Sequence, residues 1–203
     1  KFEKSENWPI AINQACSHQI LALKVEGKDT NSLEIVIPSH ANYLSSSRIL
    51  IIVDKHAKLD LLQVCIGSKQ AAISNLLEVY LDEEAQMNHG FIGLGKGSAS
   101  FFSQVVVNQS EKSNYSLTSI QQGWCISRVE PRIIQKNGNA FTTIKGLQVS
   151  TNNQQLATHS YVEFQGPEGS LDQVQKSVAT DQSHNIFNGA VNVPRKAQKT
   201  NAN

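Results

Sequence analysis

A short phrase recurs along this chain: apolar positions, an Asp or Pro, two polar residues and an Ala. Its copies are IIVDKHA at 51–57, VYLDEEA at 79–85 and VNVPRKA at 191–197. The interval from Ala57 to Ala85 is 28, and Ala197 lies four such intervals further along the chain. A strand followed by a turn at a fixed period is typical of a stacked, solenoid-like β-architecture. The functional question is therefore whether the chain forms an enzyme pocket or a scaffold.

Short β-type runs fill most of the sequence. Runs of four to eight residues rich in Ile, Val, Leu and Phe, bounded by Asp, Asn, Ser and Gly, predict strands. They lie at 20–25, 33–37, 49–53, 59–66, 76–81, 101–107, 132–135, 141–149, 161–164 and 186–193. A short helix is expected from Trp8 through Cys16, with Asn7 as its N-cap. Segment 170–178 fits a helix and a strand about equally well by pattern alone.

The abundant polar residues allow two interpretations, above all around 150–155 and 198–203. In a parallel β-solenoid, stacked turns can align amide side chains that hydrogen-bond along the axis. The alternative is a set of solvated polar loops.

Composition excludes several classes of function. The chain has 18 Lys and Arg against 17 Asp and Glu, and this net charge of +1 argues against a dedicated nucleic-acid or membrane-surface binder. No apolar run extends further than 49–53, whereas a membrane span needs about 20 residues. No secretory signal is visible at the N-terminus. The sequence also lacks an initiator Met, so we expect a segment of a longer protein.

Three cysteines, Cys16, Cys65 and Cys125, are widely spaced. An odd number without CxxC spacing predicts neither a disulfide framework nor a zinc knuckle. We expect reduced thiols in a cytosol-like compartment, with Cys65 and Cys125 acting as small hydrophobes in or near apolar runs.

A glycine-rich segment, GFIGLGKG at 90–97, contains the Gly-x4-Gly-Lys of a phosphate-binding loop. Gly97 stands where Ser or Thr should hold magnesium, and the following residues predict a strand, whereas such a loop needs a helix. We therefore interpret the segment as a turn between stacked strands.

The histidines form no recognisable metal-binding or catalytic pattern. None belongs to HxH or HExxH, and no Gly-x-Ser-x-Gly nucleophile elbow is present. His159, beside Ser160 at a strand start, is expected to be a hydrogen-bonded structural residue. The six are His18, His40, His56, His89, His159 and His184.

The last third of the chain contains the most distinctive residues. Thr158-His159-Ser160 is followed by QVQKSV at 173–178, SHNIFNG at 183–189 and AQKTNA at 197–202. This order resembles the SufB/SufD family of iron–sulfur cluster assembly proteins, and earlier parts of the chain fit more loosely. Within the family the resemblance is to the SufD branch, of cyanobacterial or plastid type, rather than to the paralogous SufB.

The resemblance implies an all-β fold, a right-handed parallel β-helix with at most a short N-terminal helix. It implies one β-helix core domain over 1–203 and makes 170–178 a strand. The family's Cys- and His-containing segment and its helical ATPase-binding region follow the AQKT motif, beyond Asn203. We therefore assign no catalytic, cofactor-binding or metal-binding residue here. Where many relatives have a His-x-x-Pro-His-like stretch after His159-Ser160, this sequence has VEFQGPE at 162–168.

The resemblance also implies a function. The chain is expected to be a non-catalytic scaffold that pairs with a SufB-like paralogue and a SufC-like ABC ATPase, or forms a homodimer in isolation. This segment is expected to bind no cofactor itself, because the wider complex assembles the iron–sulfur cluster. The expected location is the cytoplasm, or the plastid stroma in a photosynthetic eukaryote, with no nucleic-acid or membrane partner.

Two rival functions remain at this point. A polysaccharide-active lyase or hydrolase on a β-helix would need paired carboxylates or a calcium cluster. The candidates are Asp54, Asp82, Glu83 and Glu84, which lie at repeat turns where Asp serves geometry. The other rival is a self-associating structural solenoid without an ATPase partner.

Overall fold

The computed structural model describes residues 8–17 and 19–203, so Asn7, the predicted N-cap, and His18 lie outside the described residues. The described chain is 63% strand with one short helix, and it forms a right-handed β-solenoid of about 6 turns. This confirms the predicted parallel β-helix.

Two parallel seven-stranded sheets form the walls of the solenoid, because successive strands alternate between them. Sheet A contains β1 (Leu21–Val25), β3 (Leu44–Val53), β5 (Ala72–Leu81), β7 (Ser100–Gln109), β9 (Ile126–Gln135), β11 (Gln155–Phe164) and β13 (His184–Asn192). Sheet B contains β2 (Thr30–Pro38), β4 (Lys58–Ile66), β6 (Gln86–Leu94), β8 (Asn114–Gln122), β10 (Phe141–Ser150), β12 (Ser170–Ala179) and β14 (Asn201–Ala202).

The period seen in the sequence is real in the first coils. Leu44 pairs with Ala72 and Ala72 with Ser100, so each partner lies exactly one period further along the chain. The next step in sheet A, from Ser100 to Ile126, is two positions shorter than the period, and the step from Ile126 to Gln155 is one position longer. The coils therefore keep their stacking while their turns lengthen or shorten.

The third copy of the repeated phrase does not stack on the first two. Asn201 pairs with Ser170, and following the register back to Gln86 places Thr200, not Ala197, above Ala85 four coils later. The Ala197 amide donates to the Pro194 carbonyl at 2.9 Å, as the corresponding Ala amides do in the first two copies, but the positive φ falls at Lys199 and not at Lys196. The whole-number spacing of the third copy is therefore a coincidence.

The single described helix, α1 (Trp8–Cys16), confirms the predicted N-terminal helix and packs on the outer face of sheet A. The buried Asn13 fixes it there, since its side-chain amide donates to the backbone carbonyls of Ser47 and Ser74, each at 3.0 Å. No helix among the described residues has the length and apolar character of a membrane span.

The interior of the first coils is mostly apolar, apart from the buried Gln63, Asn75 and Ser103, which hydrogen-bond to one another, and it is aromatic in the middle. Phe91, Phe101 and Trp124 stack with centroid separations of 5.9 and 4.6 Å. Trp124 is fully buried and occupies a corner of the coil, where it contacts Gly67 and Gly95. The glycines are therefore required by the bulk of the indole.

The predicted glycine-rich turn is only partly correct. Residues 90–94 belong to β6, and a turn leads directly into β7, with no helix between them. The absence of a helix rules out a phosphate-binding loop here. Sequence analysis missed β6 and also β8, whose inward residues Tyr115 and Leu117 alternate with polar outward ones.

Amide side chains form a ladder inside the solenoid rather than at its turns. Gln109 stacks on Gln135, and the Thr142 hydroxyl donates to Gln109 Oε1 at 2.6 Å and accepts from Gln135 Nε2 at 2.8 Å. The turn at 151–153 is exposed, as a solvated loop would be.

Segment 170–178 is a strand as predicted, because it forms most of β12.

The contact between Gly95 and Trp124 makes a testable prediction. A Cβ on Gly95 would lie 2.6 to 2.7 Å from side-chain and backbone atoms of Trp124. Gly95→Ala should therefore lower the free energy of unfolding by about 2 kcal/mol, as overpacking typically does. Urea denaturation followed by circular dichroism measures the change.

The matched control is Gly90→Ala, whose Cβ would lie 3.2 Å from the flexible end of Leu62. It should change the free energy of unfolding by less than about 1 kcal/mol. Equal stability of the two variants would contradict the assigned packing of Trp124.

Candidate functional site

The structure disperses most of the histidines and cysteines. His40 and His184 are exposed, His89 is buried and His159 lies half-buried on the outer face of sheet A. The described residues contain no group of three or more His, Cys, Asp or Glu side chains placed to hold a metal ion.

The three cysteines are separate free thiols among the described residues. Cys16 is exposed at the end of α1, and Cys125 is half-buried just before β9. Cys65 is completely buried in β4, and burial raises the pKa of its thiol to about 12. Cys65 therefore behaves as the small core hydrophobe that the sequence predicted.

The carboxylates of the rival enzyme hypothesis each have a local structural partner. Asp54 pairs with Lys24 at 2.9 Å, and Asp82 accepts the Glu83 backbone amide at 2.8 Å. At the same turns Glu83 pairs with Lys55 at 2.7 Å, and Glu84 Oε2 lies 3.1 Å from His56 Nδ1. Asp54, Glu83 and Glu84 thus join neighbouring coils, and Asp82 stabilises its own turn.

A charged cluster lies on the outer face of sheet A, where the pairing of β9 with β11 is interrupted. Pro131 has no backbone N–H, and the ladder skips from Val129–Thr158 to Arg132–Tyr161. The gap lies beside a depression of about 200 Å³. The side chains named here as the outer cluster are Arg128, Glu130, Arg132, His159, Tyr161 and Glu163.

Ion pairing organises one half of the outer cluster. Glu130, only 8% exposed, pairs with the Arg128 guanidinium through a short contact and accepts Gln104 Nε2 at 3.3 Å. Further along the same face Arg48 lies 3.4 Å from Glu78, whose pKa is raised by burial against the opposing effect of Arg48. Charges on this face are therefore held in fixed positions.

The other half is built around an aromatic ring. The Arg132 guanidinium lies over the Tyr161 ring, 4.8 Å from its centroid, and the Tyr161 hydroxyl donates to Glu163 at 3.3 Å. Glu163 also accepts Gln165 Nε2 at 2.9 Å. A guanidinium on an aromatic face presents a flat polar surface suited to binding another polypeptide.

The surroundings of His159 favour the neutral form of its imidazole. Burial lowers its pKa, nearby Arg128 lowers it further, and Glu130 partly opposes them. Its neighbour Ser160 points to the opposite side of the strand, where its buried hydroxyl accepts Gln173 Nε2 at 2.6 Å. His159 and Ser160 therefore do not form a nucleophile–base pair, and the outer cluster is suited to binding rather than acyl transfer.

Sequence analysis singled out only His159 from this cluster. The cluster comes from two segments, 128–132 and 159–163, which meet only because the coils stack. A signal was present in RVEPR at 128–132, where charged residues alternate with Val and Pro and so share one face of a strand.

The last strand of sheet A leaves apolar side chains uncovered. Phe187 and Val191 stack over buried residues of β11, yet they are 46% and 44% exposed. The outer edge of β13 has no paired strand among the described residues. Such an edge can accept a further strand through backbone hydrogen bonds.

Comparison with known proteins agrees with this architecture. The family model for the SufBD core domain of the SUF iron–sulfur cluster assembly system matches residues 36–203. The chain therefore belongs to the SufBD family, as the sequence motifs predicted.

Three relatives are similar to this chain at 23% to 27% identity. The chain is 27% identical over 170 residues to an iron–sulfur cluster assembly SufBD family protein of Synechocystis sp. PCC 6803, covering 76% of this chain and 36% of that protein. It is 23% identical over 163 residues to the chloroplastic protein ABCI7 of Arabidopsis thaliana, covering 78% and 34%. It is 23% identical over 194 residues to the SufD protein of Plasmodium berghei, covering 88% and 14%. The chain thus spans about a third or less of the length of these relatives.

The buried His89 predicts a pH dependence of stability. Its Nδ1 lies 2.9 Å from the Tyr115 hydroxyl, and burial lowers its pKa from 6.5 to about 3. Between these values the unfolded chain binds a proton that the folded chain does not, so stability falls as the pH falls. The loss approaches about 1.4 kcal/mol per pH unit.

His89→Gln should remove this dependence while keeping a polar partner for Tyr115. We expect its free energy of unfolding to decline less steeply than that of the wild type between pH 6 and pH 4. Urea titrations at several pH values measure the difference, and parallel curves would show that His89 is protonated in the folded protein.

Proposed function

We propose that this chain forms the core of a non-catalytic, SufD-like scaffold subunit for iron–sulfur cluster assembly. In this proposal it pairs with a SufB-like paralogue, and both bind a SufC-like ABC ATPase. The observation that carries the proposal is the match of the SufBD core domain over residues 36–203, which includes nearly all of the coils. The name of one relative, SufD, supports the choice of branch.

The arrangement of reactive groups supports a role without catalysis. His159 and Ser160 point to opposite faces of β11, and the buried Cys65 thiol has a pKa of about 12. The carboxylates at the turns are engaged in contacts between coils. A stiff solenoid of this kind can instead position other subunits, while the iron–sulfur cluster is the cargo of the complex.

The proposed contact with the SufB-like subunit is strand addition at the β13 edge. Phe187 and Val191 face the interior side of the coil and are about half exposed, so an added coil would bury them. In the absence of the paralogue the same edge could pair with a second copy, which gives the proposed homodimer. We place the complex in the cytoplasm, or in the plastid stroma of a photosynthetic eukaryote, where the chloroplastic relative supports the second location.

The test is co-purification of the tagged, full-length parent protein with SufB-like and SufC-like proteins from the same organism. We expect a stoichiometric complex of all three. Failure to associate, with each protein shown to be folded, would contradict the scaffold function.

Two variants of the parent test the proposed edge. Phe187→Asp should weaken binding of the SufB-like subunit at least tenfold, whereas Ile186→Asp should not, because Ile186 is equally exposed but faces outward. Equal binding by both variants would place the interface elsewhere. If Phe187→Asp unfolds the isolated parent, the parent's own chain covers the edge and strand addition by the partner is wrong.

A further inference from the structure

An apolar stripe runs along the outer face of sheet B, parallel to the solenoid axis. The register stacks Val36, Val64, Ile92, Ile120 and Leu147 in one outward column across five successive strands. Outward positions of a solenoid normally carry polar residues, as Asp60, Asn88, Ser116 and Thr143 do earlier in these strands. A continuous apolar column is therefore a specific feature of this face.

The neighbouring column widens the stripe. Ile66 pairs with Leu94, and further along the same column Val149 pairs with Val178, with only Gln122 interrupting the apolar series. Ile66, Leu94 and Val178 are 43%, 40% and 51% exposed. Together the two columns form the sheet B stripe, which extends over six strands.

Sheet A shows how this protein covers the corresponding surface on its other wall. There α1 lies across β3, β5 and β7, and the outward Leu76 of β5 is only 1% exposed. No helix covers the sheet B stripe among the described residues. Both walls thus carry outward apolar residues of the kind that a helix can cover, but among the described residues only sheet A has a covering helix.

In the column beside Val36 and Leu147 the charge changes sign from Glu34 on β2 to Lys145 on β10, and Lys176 on β12 continues the column of Leu147 itself. A depression of about 480 Å³ beside the β2–β6 end of the stripe is lined by Glu34 of that column and by Asp60, which lies one column further from the stripe. A second depression, of about 400 Å³, at the β8–β12 end is lined by Lys145 and Lys176. Both depressions are also lined by apolar residues of the face, such as Leu62 and Leu147.

We propose that the sheet B stripe binds one amphipathic α-helix of a partner protein, lying along the solenoid axis. Six strands about 4.8 Å apart span about 24 Å, which corresponds to about 16 helical residues. The helix presents an apolar face to the stripe, with a basic residue over Glu34 and acidic residues over Lys145 and Lys176. Complementary charges at both ends fix the direction in which the helix lies.

This inference goes beyond the proposed function, because it rests on the outer face of this chain and on no property of the family. Its experiment uses this chain alone with a peptide. It can therefore succeed or fail independently of any complex with SufB-like or SufC-like proteins.

The probe is a fluorescein-labelled 18-residue peptide with Leu at helical i, i+3, i+4 and i+7 spacing, Lys at one end and Glu at the other. Fluorescence anisotropy should show saturable binding to the wild-type chain. Ile120→Glu should weaken binding at least tenfold. Ser116→Glu is the matched control, because it places the same charge on the same strand and face but outside the stripe, and it should bind as the wild type does.

Charge complementarity is tested with the double variant Lys145→Glu, Lys176→Glu. It should bind the original peptide more weakly than the wild type, and it should bind a peptide with Lys at both ends more tightly than the wild type. Weaker binding of one peptide together with tighter binding of the other is not expected if the double variant only damages the fold.

Absence of saturable binding to the wild type would overturn the proposal, as would equal effects of Ile120→Glu and Ser116→Glu. Sedimentation velocity tests whether a second copy of this chain occupies the stripe instead of a helix. The proposal is wrong if three results occur together: the wild type self-associates, Ile120→Glu abolishes this self-association, and the peptide does not displace the second copy. A second copy would then cover the stripe.

Discussion

Every internal strand of this protein forms its backbone hydrogen bonds with strands one full coil before and after it. Across a sheet, a residue therefore pairs with residues one coil away in the chain rather than with residues close to it in sequence. The inward side chains of one coil must therefore pack against the residues that occupy the same column in the next coil. Trp124 illustrates the constraint, since its indole can occupy the corner only because glycine stands one coil before it, at Gly95, and two coils before it, at Gly67.

The same stacking creates the surfaces that matter for function. Outward residues from separate coils form columns, so Arg128 and Glu130 in one strand come beside His159 in the next to form the outer cluster. The apolar stripe of sheet B arises in the same way. A solenoid thus offers long, stiff surfaces without an enclosed pocket, which suits a protein whose proposed task is to hold others in place.

Much of the fold could be predicted from the sequence, because strand periodicity and the AQKT and FNG segments are local patterns. The β-helix, α1 and the strand at 170–178 were predicted correctly. The strands β6 and β8 were missed, since their glycine and polar residues conceal the alternation of Met87, His89 and Phe91 or of Tyr115 and Leu117. The outer cluster could not be assembled from sequence, because it depends on turn lengths that vary from coil to coil.

Amide hydrogen exchange measured by NMR on the isolated chain tests the central claim most directly. If each coil is held only by its neighbours, protection should be greatest in β5, β7 and β9. It should fall towards β12, which pairs with β14 only at Ser170 and Leu171, and β13, which pairs with β11 alone. Uniform protection from β5 through β13 would show that the chain unfolds as a single globular unit and would contradict the stacked-coil account.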